Sequence, residues 1–350
     1  MKLITHSWYT GKPSGWLKPA SAVFELITRS RRSLYRSGRK KVYRASVPLI
    51  VVGNITVGGT GKTPLIVYLC KQLVQAGYRP GVVSRGYGSK APQYPFHVKT
   101  DSAVTHSGDE ALLIARNTQC PVVIDADRVE AVKSLEQHYD CNVILSDDGM
   151  QHYAMARDIE IAVVDGRRRF GNGALLPAGP LREKPQRLQE VDFIICNGPC
   201  DLDYQVPTYT MGLEPRHLCH INSGEMYAIA DIKKEMQQSR LEAEEEGKDA
   251  SRHKVHAVAG IGNPERFFSS LCDCGFDIIT HIFNDHHVYS LEDISFADSR
   301  EVVMTEKDAV KCTEFARKTD WYLSVDAVID NEFIEALMSK LNTFSIETYG

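Results

Sequence analysis

GNITVGGTGKTP, Gly53 to Pro64, follows directly on the apolar run Val47–Val52. An apolar strand, a glycine-rich turn and a helix opening on Lys-Thr-Pro is the order in which a chain builds a phosphate-binding loop. Gly58, Gly59 and Gly61 let backbone N–H groups turn inward around an anion, and the helix start adds partial positive charge. Lys62 can reach the β- and γ-phosphates, and the Thr63 hydroxyl can ligate Mg2+. Pro64 suits the first helical turn, where a missing N–H costs nothing. The strict pattern G-x-x-x-x-G-K-[ST] wants glycine at position 56, where this chain has Thr56. That glycine eases a bend and supplies no charge. The cradle Thr56, Val57, Gly58, Gly59, Thr60, Gly61, Lys62 and Thr63 is therefore expected to hold nucleotide, provided Thr56 fits the local backbone. The rival reading is a strand–helix connection that binds nothing.

The nucleotide class is narrowed by two absences. Dimerising partition-type ATPases carry a second lysine, KGGxGKT, at the position of Val57. Guanine readers need N-K-x-D after a late strand, whereas the late strand here ends "CNG" and residues 305–308 read "TEKD". ATP is favoured.

Working outward, short apolar runs alternate with helical patterns. Strands are expected at Leu49–Val52, Gly81–Ser84, Val122–Asp125, Asn142–Ser146, Ile159–Val164 and Phe193–Cys196, with helices at Pro64–Gln75 and Asp127–His138 between some of them. This rhythm predicts an α/β fold, a P-loop NTPase-like, mostly parallel sheet covered on both faces. Residues 47–205 are expected to form that P-loop core. Residues 206–252 look like short connecting strands and a polar segment with the acidic run Glu242–Asp249, read as a solvated surface. Alternation resumes at Val255–Gly260, Phe276–Phe283, Glu301–Thr305 and Trp321–Val325, giving a second, smaller α/β domain over 253–350.

The net charge of −4 hides an asymmetry. Residues 1–46 hold eleven Lys/Arg and one acid, Glu25, so this arm carries +10 and the rest −14. A basic arm on an acidic body suggests an anionic partner, membrane or nucleic acid. The nine cysteines include a CxxxC, Cys196 and Cys200, but no paired zinc spacing, so they are read as reduced thiols of a cytosolic protein. No run approaches the roughly 18 apolar residues of a membrane span, and the N-terminus lacks a signal peptide's order.

Acids mark the rest of the site. "NVILSDDG" ends a strand with Asp147 and Asp148, placed to hold Mg2+ beside the loop; an Asp-Gly turn is the bland alternative. Asp125 is a rival ligand, and Asp127 a candidate helix cap. "SGDE", Ser107–Glu110, reads as a capping box in which Ser107 caps and Glu110 returns the bond, leaving Asp109 pre-oriented and ionised. "NDHHVY" puts Asp285 and two histidines at a strand end, where sites of α/β proteins lie. "GIGNPERFF" lacks the third glycine of a dinucleotide fingerprint and is read as a tight turn into a helix opened by Pro264.

Taken together these motifs resemble the tetraacyldisaccharide 4'-kinases, the lipid A 4'-kinases of Gram-negative bacteria. The likeness spans nearly the whole chain: "VGNITVGGTGKTP", "VVSRGYG", "GDEA", "DADR", "SDDGMQH", "LRE", "AGIGNPERFF", "FNDHH" and "MTEKDAVK". Met150 stands where an aromatic is common in DDG-x-Q. The resemblance implies transfer of the ATP γ-phosphate to the 4'-hydroxyl of a tetraacylated glucosamine disaccharide 1-phosphate. It implies Asp109 as base, paired with His286 across the two domains, so that closure assembles the pair and excludes water. Lys62, Thr63, Asp147 and Asp148 would hold ATP and Mg2+, and Arg182 would stabilise phosphoryl charge. Glu110, Gln151, His152, Glu183 and Asp285 would line the site.

A lipid substrate gives the arm a purpose. Trp16, Val23, Ile27 and Leu34 recur at near-helical spacing, and Arg29 to Arg44 holds eight basic residues in sixteen. That combination suits an amphipathic helix lying on an anionic leaflet, and so a peripheral enzyme on the cytoplasmic face of the inner membrane. The competing reading packs the helix on the protein's own body. Nucleic acid is set aside because no recognition motif accompanies the charge, and no obligate protein partner is evident. Two other functions stay open: a membrane-associated ATPase switch acting through a protein partner, and a soluble kinase of a small metabolite.

Overall fold

The computed structural model describes residues 8–9, 11–245 and 253–347. The first long element is α1, Lys18–Arg36. β1, Leu49–Gly53, is buried at every position, as a central parallel strand must be. Its side chains alternate between two cores. Ile50 and Val52 pack with Leu65 and Leu69 of α2, Lys62–Gln75, on one face; Leu49 and Val51 pack with Val83 and Leu135 on the other.

β2, Pro80–Ser84, and the short β3, Phe96–Val98, follow. Then come α3, Asp109–Thr118, β4, Val122–Ile124, α4, Arg128–His138, and β5, Val143–Asp147. β6, Ile159–Asp165, and β7, Phe193–Asn197, complete the first half. β1 lies between β5 and β6, so the P-loop and the Asp147–Asp148 turn leave neighbouring strands at their carboxyl ends.

The connection to the second half is one strand. β8, Thr208–His220, runs parallel to β7 through Thr208–Met211, then antiparallel to the last strand through Met211–His220. Where short connecting strands are expected, the chain forms one strand of 13 residues. Pro215 sits beside a register shift at Ser324/Val325, where a missing N–H is tolerated. β9, Met226–Ala228, pairs with β8, and α5, Ile229–Glu245, follows. The acidic run Glu242–Asp249 continues beyond the described residues.

The second half adds β10, Lys254–Ala259, α6, Pro264–Asp273, β11, Asp277–Ile282, β12, Val302–Thr305, α7, Glu306–Cys312, and β13, Asp320–Ile329. The result is one mixed sheet in the order β11-β10-β12-β13-β8-β7-β6-β1-β5-β2-β4-β3. The final helix, α8, Asn331–Glu347, returns to the first half, where Phe333, Leu337 and Leu341 enter the core with Leu65 and Leu69. A continuous sheet and a shared core tie the two halves together.

The turn at Gly198, φ +87°, brings Cys196 and Cys200 side by side, with their Cα atoms 6.0 Å apart.

Candidate active site

The P-loop closes without its first glycine because position 56 is not part of the bend. Thr56 forms an antiparallel bridge with Leu181, and the Val57 N–H donates to Pro180 O at 2.8 Å. This extended geometry suits a β-branched residue. The turning falls on Gly58, φ +109°, and Gly61, φ +96°, which precedes Lys62 at the start of α2. The same bridge brings in Arg182, whose N–H donates to Ile55 O at 2.7 Å.

The Arg182 guanidinium donates to both Asp148 carboxylate oxygens at 3.1 and 2.9 Å, and Lys62 Nζ lies 3.5 Å from the same group. Burial alone would push the Asp148 carboxyl up, but Lys62 and Arg182 hold it down at about 2. Asp147, one residue earlier, is fully buried and meets Glu110 and Asp148, so burial and like charge push it up to about 7. Its Oδ2 accepts from Ser84 Oγ at 3.1 Å, while its Oδ1 has no hydrogen-bond partner. A buried carboxylate oxygen without a partner, at the end of the strand beside the one that leads into the P-loop and lining the same cleft as Thr63, is a donor a small hard cation takes when phosphate and water complete its shell. Thr63, Asp147 and Asp148 therefore fit Mg2+. No described cluster of three or more His, Cys, Asp or Glu side chains forms a metal site made of protein ligands alone. Asp127 accepts from the Val129 N–H at 3.0 Å and caps α4, and Asp125 bonds the Asp127 N–H.

The capping box over 107–110 does not form. Ser107 belongs to a preceding single turn and donates to Ala103 O, and Gly108, φ +76°, occupies the cap of α3. A Cβ on Gly108 would stand 2.9 Å from Tyr87 O, so this cap position takes glycine, and the Ser107 hydroxyl is engaged in the preceding turn instead. Asp109 opens the helix and is 5% exposed. Its Oδ2 accepts from His286 Nδ1 at 3.1 Å. Burial would raise the Asp109 carboxyl, but the His286 hydrogen bond and the Lys307 charge outweigh it and hold it at about 2.

His286 sits at φ +59°, a left-handed conformation unusual for a non-glycine residue, and its ring packs on Tyr87 at 4.5 Å between centroids. Asp148, φ +49°, is the other such residue in the site. Backbone strain of this kind concentrates where function over-determines geometry. Around these groups, Gln151 Nε2 donates to Asn54 O at 3.1 Å and to Glu183 Oε1 at 2.8 Å. Glu183 also accepts from Tyr153 at 2.7 Å and is buried behind Gln151, in support of the site. Burial and the charge of Arg128 hold the His152 imidazole down, at about 4, and so neutral. Glu110 and Asp285 meet at Lys307, at 2.8 and 3.4 Å.

The P-loop, Asp147, Asp148, Glu110 and His286 all face one open cleft of about 1520 Å³, whose mouth reaches Phe24 and Arg31 of α1. Typical small-ligand pockets are about 300–1000 Å³, so this one has room for nucleotide and a second large substrate together. The sequence reading missed Arg85, Arg128 and Lys307, which also line it. "VVSRGYG", "DADR" and "TEKD" were noted, but spacing gave no reason to aim them here. "GIGNP" was read as a turn alone; Gly262 in fact lies against the P-loop, where a Cβ would stand 2.6 Å from Gly59 N.

The family described as tetraacyldisaccharide-1-P 4'-kinase, LpxK, matches residues 14–342 of this chain. The chain belongs to that family. Among its relatives, the tetraacyldisaccharide 4'-kinase of Nitrosococcus oceani is 45% identical over 99% of this chain and 98% of its own length. That of Vibrio cholerae O395 is 43% identical over 99% of both. A solved structure, LpxK from Aquifex aeolicus in complex with ATP, superposes with a TM-score of 0.74 at 26% identity, covering 93% of this chain and 98% of that one. The P-loop NTPase-like architecture is thus shared with a member of the family that holds ATP.

Proposed function

We propose that this member of the tetraacyldisaccharide 4'-kinase family transfers the γ-phosphate of ATP to the 4'-hydroxyl of an acylated glucosamine disaccharide 1-phosphate, in lipid A biosynthesis. The observation that carries the reading is the Asp109–His286 pair, joined from opposite halves of the chain, in which His286 lines the cleft that holds the P-loop and Asp109 is buried behind it.

The division of labour differs from the one the resemblance implied. With its carboxyl held at about 2, Asp109 is a poor proton acceptor at neutral pH. Nδ1 of His286 is engaged by Asp109, so Nε2 is the group left for the substrate. The 4'-hydroxyl gives its proton to His286, its oxygen forms the new bond to the γ-phosphorus, and the bond to the β–γ bridging oxygen breaks to release ADP. Asp109 orients the ring and stabilises the imidazolium. The N–H groups of residues 58–63 and Lys62 hold the phosphates. Mg2+, held by Thr63, Asp147 and Asp148, would neutralise phosphate charge when bound. Arg182 is free to turn from Asp148 to the phosphoryl group once other charges satisfy that carboxylate.

α1 gives the lipid a route. Phe24 packs on the body, Ser21 donates to Leu175 O at 2.9 Å, and Arg32 pairs with Glu190. The opposite side leaves Ile27 60% exposed, beside Val23 and Leu26, and Trp16, in the turn just before the helix, is 74% exposed. Full burial of each such side chain is worth about 1.5–3 kcal/mol, and each nearby Lys or Arg about 1 kcal/mol at an anionic leaflet. An amphipathic helix with both signals docks on the cytoplasmic face of the inner membrane. No described helix is long and apolar enough to cross it.

The test is incubation with γ-labelled ATP and the acylated disaccharide in mixed micelles, followed by mass analysis of the lipid. A product heavier by one phosphoryl group at the 4' position is expected. Lipid-stimulated ATP hydrolysis without that product would overturn the reading and favour an ATPase switch.

A further inference from the structure

Lys307 served the sequence reading only as an argument against guanine. In the structure each residue of "TEKD" has a different task. Thr305 caps α7, and the Glu306 carboxylate accepts from Asn117 at 2.8 Å. Asp308 accepts from the Gly260 N–H at 2.8 Å. Lys307 turns the other way, into the wall of the cleft.

Its ammonium lies 2.8 Å from Glu110 Oε1, 3.4 Å from Asp285 Oδ1 and 4.0 Å from Asp109 Oδ2, with the side chain 17% exposed. Two of those carboxylates open α3 in the first half of the chain, and the third immediately precedes His286 in the second. Lys311, one turn along α7, lies 3.8 Å from Asp109 but is engaged at 2.8 Å by Asp308 and packs on the Tyr289 ring. Lys307 is therefore the lysine that meets acids from both sides of the seam at this point.

A buried ammonium is costly unless paired, and here three acids surround one. Burial would lower the Lys307 pKa, but the neighbouring carboxylates outweigh it and raise it, so the residue stays charged. Removing the charge would leave Asp109, Glu110 and Asp285 repelling one another across the interface that sets the Asp109–His286 distance. A compact charge on a flexible stem suits acids approaching from three directions better than the planar fork of arginine does.

We propose that Lys307 is a positioning residue for phosphoryl transfer: it clasps Asp109 and Glu110 to Asp285 and so holds His286 in register with Asp109. This rests on the catalytic reading above. A misplacement of about 1 Å at a reacting group can cost on the order of 100-fold in rate, which sets the scale of the expected effect.

The test compares full-length wild type, Lys307→Arg and Lys307→Gln in mixed micelles, with kcat and both KM values measured separately. Lys307→Gln is expected to lower kcat by about 10- to 100-fold with KM for ATP changed by no more than about twofold, and Lys307→Arg to recover part of the loss. Selective 15N labelling of histidine in the substrate-free protein is expected to show a loss of the hydrogen-bonded Nδ1 signal of His286 in Lys307→Gln. A Gln variant with kcat within about twofold of wild type, or with unchanged His286 signals, overturns the proposal. If the Gln variant does not fold, Lys307→Met, which keeps the apolar stem and removes the charge, decides, because altered His286 signals in a folded protein support the clasp and unaltered ones refute it. If wild type makes no phosphorylated lipid, the catalytic reading fails while the histidine signals still report on the clasp.

Discussion

His286 Nδ1 lies 3.1 Å from Asp109 Oδ2, although 177 positions separate them in the chain. The pair forms where a helix start from the P-loop half meets a strained turn from the other half, and Lys307 and Lys311 supply the positive charge around it. This arrangement and its surroundings can be tested at four points.

Replacing either member should remove chemistry and spare nucleotide binding. General acid–base partners contribute about 100- to 10,000-fold, so Asp109→Asn and His286→Ala should each lower kcat within that range. The double variant should be little worse than His286→Ala, since the two act as one unit. Equilibrium ATP binding, followed with a fluorescent analogue, should be unchanged.

Asp109 also links stability to acid. Its folded pKa of about 2 lies below the unfolded value of about 3.9, so its contribution is present above pH 4 and is lost as pH falls through 2. The shift corresponds to roughly 2 kcal/mol. Urea midpoints measured at pH 7, 4 and 2.5 should fall more steeply in wild type than in Asp109→Asn over the most acidic interval. Parallel curves would mean the carboxylate is unperturbed in solution.

Gly262→Ala tests the contact between the second half and the phosphate loop. The new Cβ would stand 2.6 Å from Gly59 N, a backbone atom that cannot swing aside. Overpacking of this kind typically costs about 1–3 kcal/mol, and the cheapest relief is displacement of the P-loop. KM for ATP should rise by roughly tenfold with little change in KM for the lipid. Equal increases in both would point to general damage instead.

The outward face of α1 should govern membrane attachment without touching the reacting groups. Trp16→Ser, in the turn before the helix, with Ile27→Ser removes two of the most exposed apolar side chains of this region. Sedimentation with vesicles containing anionic lipid should drop by about tenfold or more, and binding by the wild type should weaken as salt is raised. Activity on a soluble short-chain acceptor should survive. Salt-independent attachment, or none in the wild type, would assign the helix to packing alone.

Local signals were enough for part of this protein. A β-strand, a glycine turn and Lys62-Thr63 announce a phosphate loop because its cradle is made of consecutive backbone amides, and adjacent residues stay adjacent on folding. Asp147 and Asp148 were legible for the same reason, at the end of a buried strand beside that loop. The resemblance across the motifs then named the family, the pairing of Asp109 with His286 and the chemistry. Tertiary structure decided the rest. Thr56 is tolerated because Leu181 pairs with it, and Ser107 does not cap because Gly108 takes the cap position and the Ser107 hydroxyl bonds Ala103 O. Which of Asp109 and His286 takes the proton depends on burial and on cations from distant segments, and a sequence carries no record of those fields. Lys307 and Gly262 acquired meaning only when one sheet, running unbroken through β8, pressed the second half of the chain against the first. Residue type sets what a group is able to do; the distance to its neighbours, which only the folded chain supplies, sets which charge state and which role it has.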